Sequence, residues 1–193
     1  IMHILVTGGT GFVGSNLVRR CLTHGHDVAV IGSHNEVDVP NSVKFLTCHL
    51  NGVNFDWLRN WKVDVCFHQA ANNSTQSEDS DEMLCANYYS CCNLFQELYE
   101  NCGCKKFIYA SSTAVYGNAK LPYLENSELK PLTPYGVSKK MFDEFAMEFA
   151  KDKDISVVGL RYCNIYGMGE SHKGKRASMI YQMIKSIKEL KRV

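Results

Sequence analysis

The first sixteen residues constrain the fold more than any other stretch. His3-Ile4-Leu5-Val6 is a short apolar run that reads as a buried strand. Thr7-Gly8-Gly9-Thr10-Gly11-Phe12-Val13-Gly14 follows at once, and Ser15-Asn16-Leu17-Val18 re-enters as a helix. A strand that breaks into glycines and returns as a helix gathers bare backbone N–H groups and a positive helix end at one point, which suits a pyrophosphate. Gly8 is expected to make the tight turn. Gly11 lets the backbone approach phosphates, and Gly14 lets the helix pack close to the strand. Glycines alone are equally the mark of an ordinary strand–loop–helix connection. Their place between an apolar strand and an amphipathic helix favours a dinucleotide site.

The same alternation continues along the chain. Apolar β-rich runs occupy His3–Val6, Asp27–Ile31, Val43–Leu46, Asp64–His68, Lys106–Ala110 and Ser156–Leu160. Helical patterns occupy Gly11–Thr23, Asp56–Trp61, Glu82–Asn101, Tyr135–Lys151 and Ala177–Lys191. Gly25 and Gly103 are placed to close the first and third helices. Strands alternating with helices predict an α/β fold, a parallel sheet covered on both faces. Right-handed crossovers make it a Rossmann-type doubly wound sheet in the order 3-2-1-4-5-6. One domain over 1–193 is the natural count. Ligands of such sheets bind outside the carboxyl ends of the strands. Four polar clusters fall there: Gly32–Glu36, Gln69–Thr75, Ser111-Ser112-Thr113 and Asn164–Lys175. Their convergence on one crevice points to catalysis rather than nucleotide binding alone.

Composition removes other classes. A net charge of +1 gives no electrostatic case for nucleic acid or an anionic membrane. No apolar run is long enough to span a bilayer, and no charged-then-apolar leader is seen. The nine cysteines form no CxxC pair, so they read as reduced thiols of a cytoplasmic protein. The seven histidines form no HxxxH or HExxH pattern, and no metal is expected.

Tyr135 begins a helix and Lys139 stands four residues on, which puts both side chains on one face. A phenol is a poor base at neutral pH. A neighbouring ammonium and the positive ring of an oxidised cofactor are expected to stabilise its anion and lower its pKa. Ser112, at the end of the preceding strand, can hold a substrate hydroxyl. Together the three suit removal of a proton from an alcohol as its carbon is oxidised. A Tyr-x-x-x-Lys spacing alone is common on helix surfaces; the glycine turn and strand-end serines give it weight.

These residues, with Ala70-Ala71, Asn87, Tyr109-Ala110-Ser111-Ser112-Thr113-Ala114-Val115-Tyr116-Gly117, Tyr135-Gly136-Val137-Ser138-Lys139 and Arg161-Tyr162-Cys163-Asn164-Ile165-Tyr166-Gly167, span nearly the whole chain. In them the chain resembles the extended short-chain dehydrogenase/reductases, of the NAD-dependent epimerase/dehydratase group that acts on nucleotide sugars. The resemblance implies Ser112, Tyr135 and Lys139 as a catalytic triad, with Lys139 also on the nicotinamide ribose. It implies cofactor contacts from Gly8, Gly11, Phe12, Val13, Gly14, Ser33, Ala70, Ala71 and Asn87. In the related sugar 4,6-dehydratases an Asp and a Glu follow the strand-end hydroxyl residue. Here Thr113 and Ala114 stand in those places, which argues against dehydration.

The segment Met168-Gly169-Glu170-Ser171-His172-Lys173-Gly174-Lys175-Arg176 is similar to that of the ADP-glyceromanno-heptose 6-epimerases, enzymes of lipopolysaccharide-core precursor synthesis. That resemblance implies Lys173 as a second acid/base opposite Tyr135. It implies substrate contacts from Ser112, Thr113, Asn164 and Lys173, and transient oxidation and re-reduction of one sugar carbon. The bland alternative for Lys173 is a solvated member of a basic run, touching sugar-nucleotide phosphates.

Two departures qualify the resemblance. No acid ends the second strand at Gly32-Ser33, where NAD enzymes bind the ribose hydroxyls; Ser33 and His34 lean toward NADP over NAD, although no arginine is there to grip a 2′-phosphate. His49 likewise stands where the family has an acid near the adenine. The second departure is length: the C-terminal substrate-binding portion of family members is missing or truncated. Weak turnover by this piece alone is therefore expected. The rival readings are another reaction on the same scaffold (4-epimerase, reductase or decarboxylase) and a dinucleotide-binding protein without turnover. Family members pair through helices matched by Glu82–Asn101 and Tyr135–Lys151, so a homo-oligomer is expected.

Overall fold

In the computed structural model, which describes residues 1–32, 40, 42–72 and 79–190, the apolar run at the start becomes a central strand. Strand β1 (His3–Thr7) is buried along nearly its whole length, as a parallel strand covered on both faces must be. Helix α1 (Phe12–Thr23) follows, then β2 (Asp27–Gly32), β3 (Lys44–Thr47), α2 (Asp56–Trp61) and β4 (Val65–His68). After them come α3 (Ser80–Leu84), a π-helical turn (Cys85–Tyr89), α4 (Ser90–Glu100), β5 (Lys106–Ser112), α5 (Pro134–Ala150), β6 (Ser156–Tyr162) and α6 (Met179–Leu190).

The six strands lie in the order β3-β2-β1-β4-β5-β6, as the alternation predicts. Strand β1 pairs parallel with β2 and with β4, and Thr7 sits beside Ile31 on one side and His68 on the other. Successive strands run outward from this β1–β4 junction in opposite directions, so the strand order reverses there. In doubly wound sheets the ligand crevice opens at such a point.

Side-chain alternation along β1 divides the core. Leu5 faces Leu94, Phe95, Leu98, Phe107 and Phe142, the layer under α4 and α5. Ile4 and Val6 face Val18, Val28 and Val30 under α1. All nine cysteines are free thiols, and Cys66, Cys91, Cys102 and Cys104 are buried.

Two compact units divide near the end of β6: Ile1–Arg161 and Tyr162–Val193. Within the second, the Glu170 carboxylate accepts from the Gly167 N–H at 3.0 Å and the Ser178 N–H at 2.8 Å, closing the Gly167–Ser178 segment onto itself.

Two departures from the sequence reading bear on the site. The predicted helix Glu82–Asn101 is three pieces, because a π turn interrupts it. The Ser90 hydroxyl donates to the Cys85 carbonyl at 2.8 Å and the Cys91 thiol to the Ala86 carbonyl at 3.5 Å, so side chains satisfy acceptors that the wider turn leaves available. The predicted strand Lys106–Ala110 runs on to Ser112, which carries the polar Ser111-Ser112 pair into the sheet.

Candidate active site

The glycine turn is built as its residues dictate. Gly8 has φ +66, and a Cβ there would lie 2.7 Å from the Ala70 nitrogen. Only glycine adopts that conformation freely, and only glycine leaves room for the chain after β4. Gly14 is equally constrained, since a Cβ on it would overlap the Gly8 carbonyl. Its bareness thus serves the contact between α1 and the turn, more than the contact with the strand that the spacing suggests.

Gly11 differs from both. It caps α1 in extended conformation (φ −80, ψ 174), and a Cβ would approach only the Gly8 carbonyl, at 3.3 Å. Among the described residues only that carbonyl would have to give way. A bare, open residue at a helix N-terminus is what close approach by a phosphate group requires, so the residues present fit a dinucleotide. Phe12 is buried and Val13 half-buried beside it. Ser33, with the rest of the cluster through Glu36, lies outside the described residues, as do 73–75 of the cluster after β4.

A directed chain of hydrogen bonds ties this turn to the helices opposite. The Ala70 N–H donates to Thr7 Oγ1 at 3.3 Å, so the Thr7 hydroxyl proton is free to face His68 Nδ1, 2.7 Å away. That assignment leaves the proton of His68 on Nε2, aimed at Cys91 Sγ 3.0 Å away. Burial, aided by the Lys139 charge, holds the His68 imidazole neutral with a pKa of about 3. Asn87, in the π turn, accepts from the Asn72 N–H and donates to the Asn72 carbonyl, both at 2.8 Å, and reaches Ser138 Oγ at 3.3 Å. Its amide braces the chain after β4 against α5. Ala71 is exposed on that chain.

The second wall comes from β5 and α5. Thr133 caps α5, its hydroxyl accepting from the Gly136 N–H at 3.1 Å, and Pro134 occupies the first turn. Tyr135 is thereby fixed at the helix start, where its phenol bonds the Ser112 hydroxyl. Ser112 Oγ also accepts from the Ala114 N–H at 3.1 Å. Lys139 is buried, its Nζ 2.9 Å from the Ala110 carbonyl and 5.8 Å from the centre of the Tyr135 ring. Ser112, Tyr135 and Lys139 are thus brought together. Thr113 follows directly in a short 3-10 turn.

The electrostatics correct one expectation. In the protein alone the Tyr135 pKa is raised by burial, and the Ser112 hydrogen bond only partly offsets this. The Lys139 ammonium is itself pushed down by burial, partly countered by Cys91 and Asp143. Its position, bonded to a carbonyl beside the phenol ring instead of to the phenol oxygen, explains why it does not lower Tyr135 as the spacing suggested.

Asn164 and Lys173 belong to the second unit. Asn164 is exposed; Lys173 is half-buried in a 3-10 segment whose Gly174 has φ 55. Two residues have partners that the motifs do not foretell. Asp143, four positions after Lys139, is buried and accepts from Ser111 Oγ at 3.0 Å. Arg161 bonds Asp143, the Tyr116 hydroxyl and the Glu125 carbonyl. For Asp143 the signal was present in the spacing; for Arg161 only the fold reveals it. Among the described residues no group of three or more His, Cys, Asp or Glu side chains is placed to hold a metal ion, and no helix is long and apolar enough to cross a membrane.

The family model described as the NAD dependent epimerase/dehydratase family matches residues 4–193. Among solved structures, the chain is similar to the ADP-L-glycero-D-manno-heptose-6-epimerase of Helicobacter pylori, with 33% identity, a TM-score of 0.81, and 94% of this chain and 61% of that one covered. It is similar to the UDP-N-acetylglucosamine 4-epimerase of Methanobrevibacter ruminantium, solved with UDP-N-acetylmuramic acid, with 27% identity, a TM-score of 0.85, and coverage of 97% and 63%. The Bordetella bronchiseptica enzyme WbmG, solved with NAD, matches with 26% identity, a TM-score of 0.74, and coverage of 86% and 54%. The chain therefore spans less than two thirds of the length of these solved proteins.

Proposed function

The chain belongs to the NAD-dependent epimerase/dehydratase family, and from that membership we propose that it is the cofactor-binding and catalytic part, over 1–193, of a nucleotide-sugar epimerase. The observation that carries the reading is the meeting of Ser112, Tyr135 and Lys139 where β5 ends and α5 begins, in the same unit as the bare glycine turn after β1. Gly8, Gly11 and Gly14, with the α1 N-terminus, would hold the pyrophosphate of a nicotinamide dinucleotide, and Phe12, Val13, Ala70 and Ala71 flank it. Asn87 keeps that flank in place through Asn72. When bound, such a cofactor supplies reversible oxidation of a carbinol carbon.

The chain's own residues then have separable tasks. Tyr135 Oη takes the proton of the substrate hydroxyl and later returns it. Ser112 Oγ holds that hydroxyl and the phenol in one hydrogen-bonded set. Lys139 supplies positive charge beside the ring and faces the cofactor ribose. Thr113 and Asn164 contact substrate. Lys173 serves as the second acid/base. Thr113 and Ala114, in place of the acidic pair of dehydratases, support epimerisation over elimination.

Similarity to the H. pylori enzyme and the His172-Lys173-Gly174 element support a heptose 6-epimerase activity on an ADP-linked sugar. NAD is the first dinucleotide to test, because it is the one named with WbmG; the lean toward NADP rests on Ser33. Pairing of two copies through α4 and α5 is supported by exposed Tyr89, Val137 and Met147 on and beside those helices.

The test is incubation with ADP- and UDP-linked sugars in the presence of NAD or NADP, with products read by NMR. Epimer formation without net cofactor reduction is expected, and Lys173→Ala should remove most of it. Net consumption of reduced cofactor would instead mark a reductase. Dinucleotide binding with every sugar left unchanged favours the second reading, a binding protein without turnover.

A further inference from the structure

Tyr135, Lys139 and Asp143 stand at successive four-residue steps on α5, a single stripe of the helix. Each is stitched to β5. The Tyr135 phenol bonds Ser112, the Lys139 ammonium donates to the Ala110 carbonyl at 2.9 Å, and the Asp143 carboxylate accepts from Ser111 Oγ at 3.0 Å. Three helix residues thus meet three consecutive strand residues. We propose that Asp143 is a positioning residue for the Tyr135–Lys139 pair, which locks the phase of α5 against β5 and supplies the negative charge facing the buried Lys139 ammonium. This deepens the reading of the site given above and rests on it for its catalytic meaning.

The carboxylate's environment supports a role for its charge. Asp143 is buried, and only Oδ2 is used, by Ser111 and by Arg161 Nε at 3.3 Å; Oδ1 is buried with no hydrogen-bond partner. A buried carboxylate with one unsatisfied oxygen is costly. An asparagine oxygen would accept the same two bonds, so bonding alone does not call for an acid.

The groups facing Lys139 show why the charge matters. From β4 comes His68, neutral with a pKa of about 3. From α4 comes Cys91, whose thiol burial pushes up to about 11. From α5 itself come Tyr135, raised by burial, and Asp143. Asp143 is the carboxylate of this set, and it favours the Lys139 ammonium. On its far side lie the Tyr109 phenol, which the carboxylate and burial push up, and Arg161. Arg161 is held off Lys139 by the Tyr116 hydroxyl at 3.0 Å, the Glu125 carbonyl at 2.9 Å and the face of the Tyr116 ring.

The test is the titration of Lys139 followed by the 13Cε resonance of lysine-labelled chain, assigned as the signal missing from Lys139→Arg. Asp143→Asn should move the midpoint to lower pH, because a positive group has lost its nearby negative charge. Asp143→Glu should restore it. A purely structural role would lower the melting temperature of Asp143→Asn and leave the midpoint in place, and that result overturns the proposal. Should Asp143→Asn fail to fold, Asp143→Ser serves instead, a second neutral side chain that can still meet Ser111. The same lowered midpoint is expected, and an unmoved or raised midpoint overturns the proposal. The titration needs no dinucleotide, so failure of the chain to bind one would sink the proposed function and leave this measurement intact.

Discussion

Lys139 Nζ donates to the Ala110 carbonyl at 2.9 Å, two residues before the Ser112 whose hydroxyl bonds Tyr135. The ammonium is thus anchored to the strand that presents the serine, and helix and strand hold one arrangement. Lys139→Met keeps the stem and removes the charge. Turnover should fall by about 10²-fold or more, the scale of a lost acid–base contribution. The thermal midpoint should fall modestly, because the Ala110 carbonyl loses its donor while the cost of burying an ammonium is relieved. Steady-state kinetics beside a melting curve checks both; a variant with unchanged turnover would remove Lys139 from the chemistry.

Tyr135 should respond to the cofactor. Burial favours its neutral form and raises its pKa in the chain alone. An oxidised nicotinamide ring brings positive charge, which favours the anion and lowers the pKa. The 13Cζ shift of labelled Tyr135, titrated with and without oxidised dinucleotide, should show a lower midpoint with it. An equal or higher midpoint would mean that the ring does not reach the phenol.

His68 should govern stability in acid. Its pKa is about 3 in the folded chain and 6.5 as the ordinary value. The folded state therefore binds fewer protons than the unfolded state between those limits. The stability it contributes is complete above about pH 6.5 and is lost as pH falls toward 3, at about 1.4 kcal/mol per unit. Urea unfolding across that range should show this slope in the parent and a shallower one in His68→Gln. Parallel slopes would place the imidazole in water.

Much of this was legible in the chain, for definable reasons. The sheet order followed from strand and helix alternation, and the Tyr135–Lys139 face from helical periodicity. The π turn was not legible, because Cys85–Tyr89 differs from ordinary helix only in where Ser90 and Cys91 send their side-chain hydrogen bonds. The share of the Tyr135 shift expected from Lys139 does not arise in the chain alone, because spacing gives the face of a helix and not the reach of an ammonium, which here goes to Ala110. Arg161 was visible within a motif, but its partners come from residues 18 to 45 positions away.

Gly14 and Gly11 should separate folding from binding. Gly14→Ala forces a Cβ onto the Gly8 carbonyl and should cost about 1–3 kcal/mol, as overpacking does. Gly11→Ala meets only the Gly8 carbonyl at 3.3 Å and gives up a favoured N-cap residue, so it should cost less, about 0.5–1 kcal/mol. Chemical denaturation of the two variants decides it; equal losses would mean that the turn yields where it looks tight.

The most direct measurement is a calorimetric titration of NAD into the parent chain and into Gly11→Val. If the glycine turn and the Tyr135 wall form one dinucleotide site, the parent binds one NAD per chain. The variant still unfolds cooperatively, well above the titration temperature, but loses that affinity, because its side chain fills the space a phosphate needs. Undiminished binding by Gly11→Val, or no saturable binding by the parent, would contradict the site.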